Sequence, residues 1–139
     1  MKIMVVDGQG GRIGSMFLEK WMKTGAQEHT VVAIGTNSAA TTSMLKAAGC
    51  PGATGENPVL VNARDADVIV GPIGIIAADS LLGEVTPKMA AAIAGSPAKK
   101  ILIPMNNCDH IVMGVGDQKL AALIDEAVER IVKMGEERK

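Results

Sequence analysis

Short apolar runs alternate along the chain with stretches whose apolar positions recur at helical spacing. Ile3, Met4, Val5 and Val6 follow one another without a break, so KIMVVD (Lys2–Asp7) predicts a strand covered on both faces. Ile13, Phe17 and Trp21 then recur at intervals of four, predicting a helix that stops near Gly25. TVVAIG (Thr30–Gly35) is a second strand, and Ser38 is placed to cap a helix through SAATTSMLKAAG that Gly49 ends. TGENPVLVNARDAD reads two ways. Asn57 and Pro58 open a helix as cap and first-turn proline, while VLVN also suits a strand; the short helix is the preferred reading.

DVIVGP (Asp67–Pro72) predicts a buried strand. IGIIAADSLLG predicts a helix stopping at Gly83, apolar nearly all round and so buried, with a second subunit as one possible cover. Thr86 caps the next helix, Pro87 opens it, Gly95 closes it and Pro97 follows. KKILIPM (Lys99–Met105) and HIVMGV (His110–Val115) are further strands. Asp117 caps a last helix with Leu120, Leu123, Ile124, Ala127, Val128 and Ile131 on one face, and the tail 134–139 is expected to fray. Strands separated by helices predict one Rossmann-like, doubly wound α/β domain over 1–139. Its mostly parallel sheet would hold about six strands in the order 3-2-1-4-5-6.

Composition narrows the function classes. A formal charge of −1 over 139 residues calls for neither nucleic acid nor an anionic membrane as partner. With Phe17 and Trp21 the only aromatic residues, the stacking platforms of single-strand binders are missing. Cys50 and Cys108 lie far apart, which points to a reducing cytoplasm, and two cysteines with two histidines match no metal-ligand spacing. The apolar run before Asp7 is too short for a signal peptide, and VIVGPIGIIAA is too short to span a bilayer.

The chemistry-bearing stretch is DGQGGRIG, which stands between the first strand and the first helix. A helix N-terminus carries unpaired N–H groups and partial positive charge, and glycine lets a phosphate approach the backbone. The spacing is G-x-x-G-x-x-G on Gly8, Gly11 and Gly14, with Gly10 added; Ile13 stands where G-x-G-x-x-G requires glycine. Gly8, Gln9, Gly10, Gly11, Arg12, Ile13 and Gly14 are therefore candidate cofactor-binding residues. The alternative is a tight turn between strand and helix. No Gly-Lys-Ser/Thr follows, which excludes a P-loop, and no G-x-S-x-G elbow is present.

GQGGRIG resembles the dinucleotide-binding loop of dihydrodipicolinate reductases. That resemblance covers about a dozen residues. It implies that the four glycines are loop glycines and that Arg12 meets the cofactor's phosphates. The histidine-rich catalytic segment and the substrate domain of those enzymes have no counterpart. DGQGGRIG, IGTNSAATTSMLKAAG, GATGEN, VIVGPIGIIAADSLLGEVTPKMA and KKILIPMNNC are similar, together, to an uncharacterised bacterial family of small proteins classified as a domain of unknown function.

NAD-binding Rossmann folds place an acid at the end of the second strand to hold the ribose. Here that position falls in Gly35-Thr36-Asn37-Ser38. Either Thr36, Asn37, Ser38 and Arg12 receive a 2′-phosphate, which favours NADP, or the ligand is another phosphate compound or none. Gly71, Pro72, Ile73 and Gly74 are candidates to wall the same pocket, or a turn into the next helix. Asn106, Asn107 and Cys108 sit in a further strand-end loop, with His110 the basic residue nearest Cys108. Asp79 is a carboxylate in an apolar helix. Glu56 and Asn57 are weighed as ligand contacts, and His29 as a surface residue. Glu84 would act as an acid or base only if the fold carried it to the pocket. Three functions stay open: a nucleotide-binding sensor or accessory module, a small oxidoreductase or phosphate-ester enzyme completed in a homodimer, and a structural protein with a degenerate loop.

Overall fold

Every strand of the sheet runs in the same direction. The computed structural model describes residues 1–105 and 110–139. Its strands are β1 (Lys2–Asp7), β2 (Thr30–Gly35), β3 (Gly52–Thr54), β4 (Val68–Pro72) and β5 (Lys99–Ile103), in the order β3-β2-β1-β4-β5. Five helices connect and follow them: α1 (Arg12–Trp21), α2 (Ser38–Ala48), α3 (Glu56–Asn62), α4 (Pro87–Gly95) and α5 (Leu120–Glu137). β1 is central. It pairs with β2 from Lys2 opposite Thr30 to Asp7 opposite Gly35, and with β4 through Ile3 opposite Val68.

Alternation along β1 divides the core, because successive side chains of a strand point to opposite faces. Ile3 and Val5 pack with Phe17 and Leu18 of α1, Met44 of α2, and Ile124 and Ile131 of α5. Met4 and Val6 pack with Val59 of α3 and with Met89 and Ile93 of α4. Both faces are thus covered, as the unbroken apolar strands require. No helix among the described residues is long and apolar enough to cross a membrane.

Several boundaries differ from expectation, each for a local reason. The strand expected at 110–115 does not form among the described residues; Ile111 and Met113 are almost fully exposed there. The sheet of the described residues has five strands, not about six, and one of them is β3, which the sequence pattern does not predict. It is three residues long and is held by pairing with Ala33, Ile34 and Gly35 of β2. Asn37, not Ser38, caps α2, accepting from the Ala40 N–H at 2.8 Å. Gly55 rather than Asn57 precedes α3, and Lys119 rather than Asp117 precedes α5. The tail expected to fray is helical through Glu137, and Arg138 pairs with Asp67 at 2.6 Å. His29, expected at the surface, has its ring largely buried, with ring centroids 6.0 Å from Trp21.

The largest correction concerns residues 73–83. Only Ile73–Ile76 is helical, as a single 3-10 turn. Ala77 is extended, and Asp79, Leu81 and Leu82 have positive φ of 63°, 54° and 56°. The Asp79 N–H donates to the Val85 carbonyl at 2.8 Å, which closes the stretch into a compact loop. Asp79 is exposed on this loop instead of lying in an apolar helix.

Candidate functional site

Three loops meet at the carboxyl ends of the strands: 8–11 after β1, 36–37 after β2 and 73–86 after β4. The chain runs outward from β1 to β2 and β3, then crosses to β4 on the other side. The crevice between the ends of β1 and β4 is therefore a topological switch point, where open α/β sheets receive ligands.

The glycine loop is shaped first by an acid within the chain. Asp7, at the end of β1, is almost fully buried. Its Oδ1 accepts from the Gly8 N–H and its Oδ2 from the Gly14 N–H, each at 2.8 Å. Burial pushes the Asp7 carboxyl up from its ordinary value, the Gly14, Gly8 and Ile13 N–H groups pull it back, and the charge of Glu84 adds to the rise. The first turn of α1 thus already faces a carboxylate supplied by the chain itself.

Three of the four glycines answer packing demands. Gly11 is left-handed, with φ 71°, and donates its N–H to the Gly8 carbonyl at 2.9 Å. A Cβ there would lie 2.7 Å from the Ala40 carbonyl oxygen of α2. At Gly14 a Cβ would run into Met44, which keeps α1 and α2 close. At Gly8 it would lie 2.7 Å from the Thr36 hydroxyl and 2.8 Å from Leu81 Cδ1. Gly10 differs. It is exposed, its φ is not positive, and a Cβ on it would meet nothing within 4 Å. Among the described residues, the N–H groups of Gly10 and Arg12 have no hydrogen-bond partner, and Arg12 is exposed. Ile13 belongs to the core.

The acid missing after β2 arrives from elsewhere. Glu84 Oε1 accepts from the Gln9 N–H at 2.9 Å, the Thr36 hydroxyl at 2.8 Å and the Asn37 side-chain amide at 2.5 Å. Partial burial works against its charge, but the donors at Gln9, Asn37 and Thr36 outweigh that, and the carboxyl lies below its ordinary value. Asn37 also donates to the Gln9 carbonyl at 2.9 Å, tying the ends of β1 and β2 together. Leu81 from the same loop packs over Gly8. Ser38 opens α2, exposed beside this cluster.

The stretch Gly71–Gly74 launches the Glu84 loop. Gly71 and Pro72 finish β4, and a Cβ on Gly71 would collide with the Val6 carbonyl of β1. Ile73 begins the 3-10 turn, and the buried Gly74 offers its carbonyl to the Ala77 N–H at 3.0 Å and to the Ser80 hydroxyl. Val85 anchors the far side of the loop in the core. Thr86 caps α4 by accepting from the Met89 N–H at 3.1 Å, and donates to Glu56 Oε2 at 2.6 Å. Glu56 is thereby held at the α3–α4 junction. Asn106, Asn107 and Cys108 lie outside the described residues. Cys50 is half-buried, and burial pushes its thiol up. Asp7 was signalled only as the polar residue ending the first strand; its role shows once the loop is folded over it.

The chain belongs to DUF3842, a family of domains of unknown function, whose model matches residues 2–136. No curated protein gives a significant match. In fold the chain is similar to an arsenate reductase in a phosphate-binding state, at 18% identity and a TM-score of 0.50, over 96% of this chain and 97% of that one. It is also similar to a dodecameric FMN-dependent UbiX-like decarboxylase from Escherichia coli O157:H7, at 16% identity and a TM-score of 0.48, over 94% and 76% of the two chains. A nucleoside-diphosphate-sugar epimerase from Pseudomonas aeruginosa matches at 14% identity and a TM-score of 0.42, over 94% of this chain and 46% of that one. At such identities the likeness is one of Rossmann-like α/β fold.

Proposed function

We propose that this domain is a nucleotide-binding module that takes a phosphate of a dinucleotide of the NAD or NADP type at Gly10 and Arg12, in a sensor or accessory role. The observation that carries the reading is Gly10. Gly8, Gly11 and Gly14 are each explained by a neighbour that a side chain would strike, whereas Gly10 faces open space at the switch point. Its N–H and that of Arg12 lack partners among the described residues and stand at the N-terminus of a ten-residue helix. Such amides favour an anion, and the Arg12 guanidinium adds a full positive charge beside them.

Phosphate held on these donors would place the rest of a nucleotide along the ends of β1 and β2, toward Thr36, Asn37, Ser38 and Glu84. A homodimer is the assembly proposed with it; the apolar tip of the β4–α4 loop, where Leu82 is 97% exposed, is the surface it would cover. Sedimentation as a monomer at micromolar concentration would remove that part of the proposal.

The test is a melting-temperature panel with NAD, NADP, FAD, ATP, GTP and coenzyme A. A ligand at a hundred times its Kd stabilises a protein by about 2.7 kcal/mol. A shift with a dinucleotide that is lost in Arg12→Ala supports the reading. No shift with any compound overturns it.

A further inference from the structure

We propose that Glu84 selects the sugar of the bound nucleotide, accepting hydrogen bonds from the free 2′- and 3′-hydroxyls of a ribose and turning away a 2′-phosphate. This rests on the nucleotide reading above and names the ligand class within it: NAD-type rather than NADP-type.

The expectation of NADP came from an end of β2 with no acid, where Thr36, Asn37 and Ser38 would donate to a phosphate. In the folded chain the Thr36 hydroxyl and the Asn37 amide already donate to Glu84 Oε1, together with the Gln9 N–H. Two of the donors counted on for a 2′-phosphate are therefore engaged, and a carboxylate stands in the same place. Like charges facing each other across a binding site disfavour the ligand that brings the second one.

The two oxygens of Glu84 are not equivalent. Three donors converge on Oε1, while Oε2 has no partner among the described residues. A carboxylate oxygen has two lone pairs and accepts only, so the group that completes it must be a donor. Oε2 has two lone pairs, and the two adjacent hydroxyls of a vicinal diol can both donate to it. The carboxylate is also held in place before any ligand arrives. Val85, next in the chain, is buried, and the Asp79 N–H to Val85 carbonyl bond closes the loop that carries Glu84. Little side-chain order remains to be gained on binding, which favours affinity.

The placement matches what an acid at the end of β2 does in other dinucleotide-binding sheets. Its origin is different, since here it comes from the loop after β4, 75 residues beyond the Gln9 N–H it accepts from. Sugar choice would thus depend on the β4–α4 loop, and not on the residue that ends β2.

The experiment is titration calorimetry of NAD, NADP and inorganic phosphate with the wild-type chain, Glu84→Gln and Thr36→Val. The wild type should bind NAD at least about tenfold more tightly than NADP, one factor of ten being about 1.4 kcal/mol. Glu84→Gln, isosteric and uncharged, should bring that ratio near one with a two-state melt retained. Thr36→Val, which loosens the carboxylate without removing it, should narrow the ratio less. Equal binding of NAD and NADP by the wild type overturns the inference while leaving the nucleotide reading in place. So does equal tightening of all three ligands in Glu84→Gln, which would make Glu84 a plug over the loop. Binding of phosphate with no preference for either dinucleotide overturns it too, and no binding of any ligand overturns both readings.

Discussion

Alanine at Gly10 and alanine at Gly11 should separate binding from stability at neighbouring positions. Gly11 has φ 71°, and its Cβ would stand 2.7 Å from the Ala40 carbonyl oxygen. A left-handed backbone costs a non-glycine residue roughly 1–2 kcal/mol. The overlap with α2 adds overpacking, typically 1–3 kcal/mol. Backbone on both sides leaves little room to yield, so Gly11→Ala should lose about 2–5 kcal/mol. Gly10→Ala meets nothing within 4 Å and needs no positive φ. It should be neutral, or stabilising by about 0.4–1 kcal/mol through a less flexible unfolded chain.

Urea denaturation of both variants with the wild type gives the two numbers directly. For a chain of this size, a loss of 1 kcal/mol lowers Tm by roughly 3–5 °C, so the Gly11 variant should also stand out in a thermal melt. Binding should follow the opposite order. Gly10→Ala puts a methyl group where a phosphate would approach, and should weaken a dinucleotide at least about tenfold with the fold intact. Gly10→Ala that destabilises by more than about 1 kcal/mol would refute the packing argument. Gly10→Ala that leaves binding unchanged would refute the place given to the phosphate.

Arg12→Ala should leave the melt within about 0.5 kcal/mol of wild type, as surface substitutions do, while reducing affinity for every phosphate-bearing ligand in calorimetry. Glu84 is held below its ordinary value, so its contribution to stability is complete above about pH 4.5 and is lost as pH falls through its folded pKa. The urea stability gap between wild type and Glu84→Gln, small because solvent screens the group and at most about 1 kcal/mol, should therefore close below that pH. A gap independent of pH would show that the charge is not involved. Asp7 runs the other way. Its carboxyl is raised from 3.8, so ionisation opposes folding and the chain gains stability from this group as pH falls through the folded pKa toward 3.8. Leu82 has φ 56° with a side chain 97% exposed in the single chain, so at concentrations where the chain is monomeric Leu82→Asn should stabilise by roughly 0.5–1 kcal/mol in urea melts by relieving a left-handed leucine.

The parts of this fold that were legible in the sequence are those whose signal is local. β1, β2 and β4 are nearly unbroken apolar runs, and α4 carries its cap and stop at the expected residues, Thr86 and Gly95. β3 was not legible. Gly-Ala-Thr has no periodicity, and it is a strand only because β2 offers it partners. The stretch 73–83 misled because apolar content was taken for helix. Its apolar residues are divided instead, Ile75 into the core and Leu82 into solvent. The glycine spacing was visible, but its meaning depended on α2. Nothing near Gly11 or Gly14 in sequence announces Ala40 or Met44. Glu84 could be named as an acid, yet its meeting with Gln9, Thr36 and Asn37 is a product of the β4–α4 loop.

Two carboxylates divide the donors of the glycine loop, and the division limits what the loop can do. A helix N-terminus presents roughly half a positive charge. Asp7, buried against the Gly8 and Gly14 N–H groups, brings a full negative charge to the same turn when ionised. The local sum is then negative, and an incoming phosphate gains little from the helix alone. Asp7 is covalently part of β1 and cannot leave. Glu84 claims the Gln9 N–H from the other side. Gly10 and Arg12 keep their N–H groups, and among loop residues 8–14 Arg12 carries the one cationic side chain. Attraction of an anion must therefore come from the Arg12 guanidinium, with the two N–H groups giving direction. A glycine-rich turn before a helix is consequently weak grounds for a strong phosphate site when an acid ends the preceding strand. Here the cation at the head of α1 decides whether the turn binds at all.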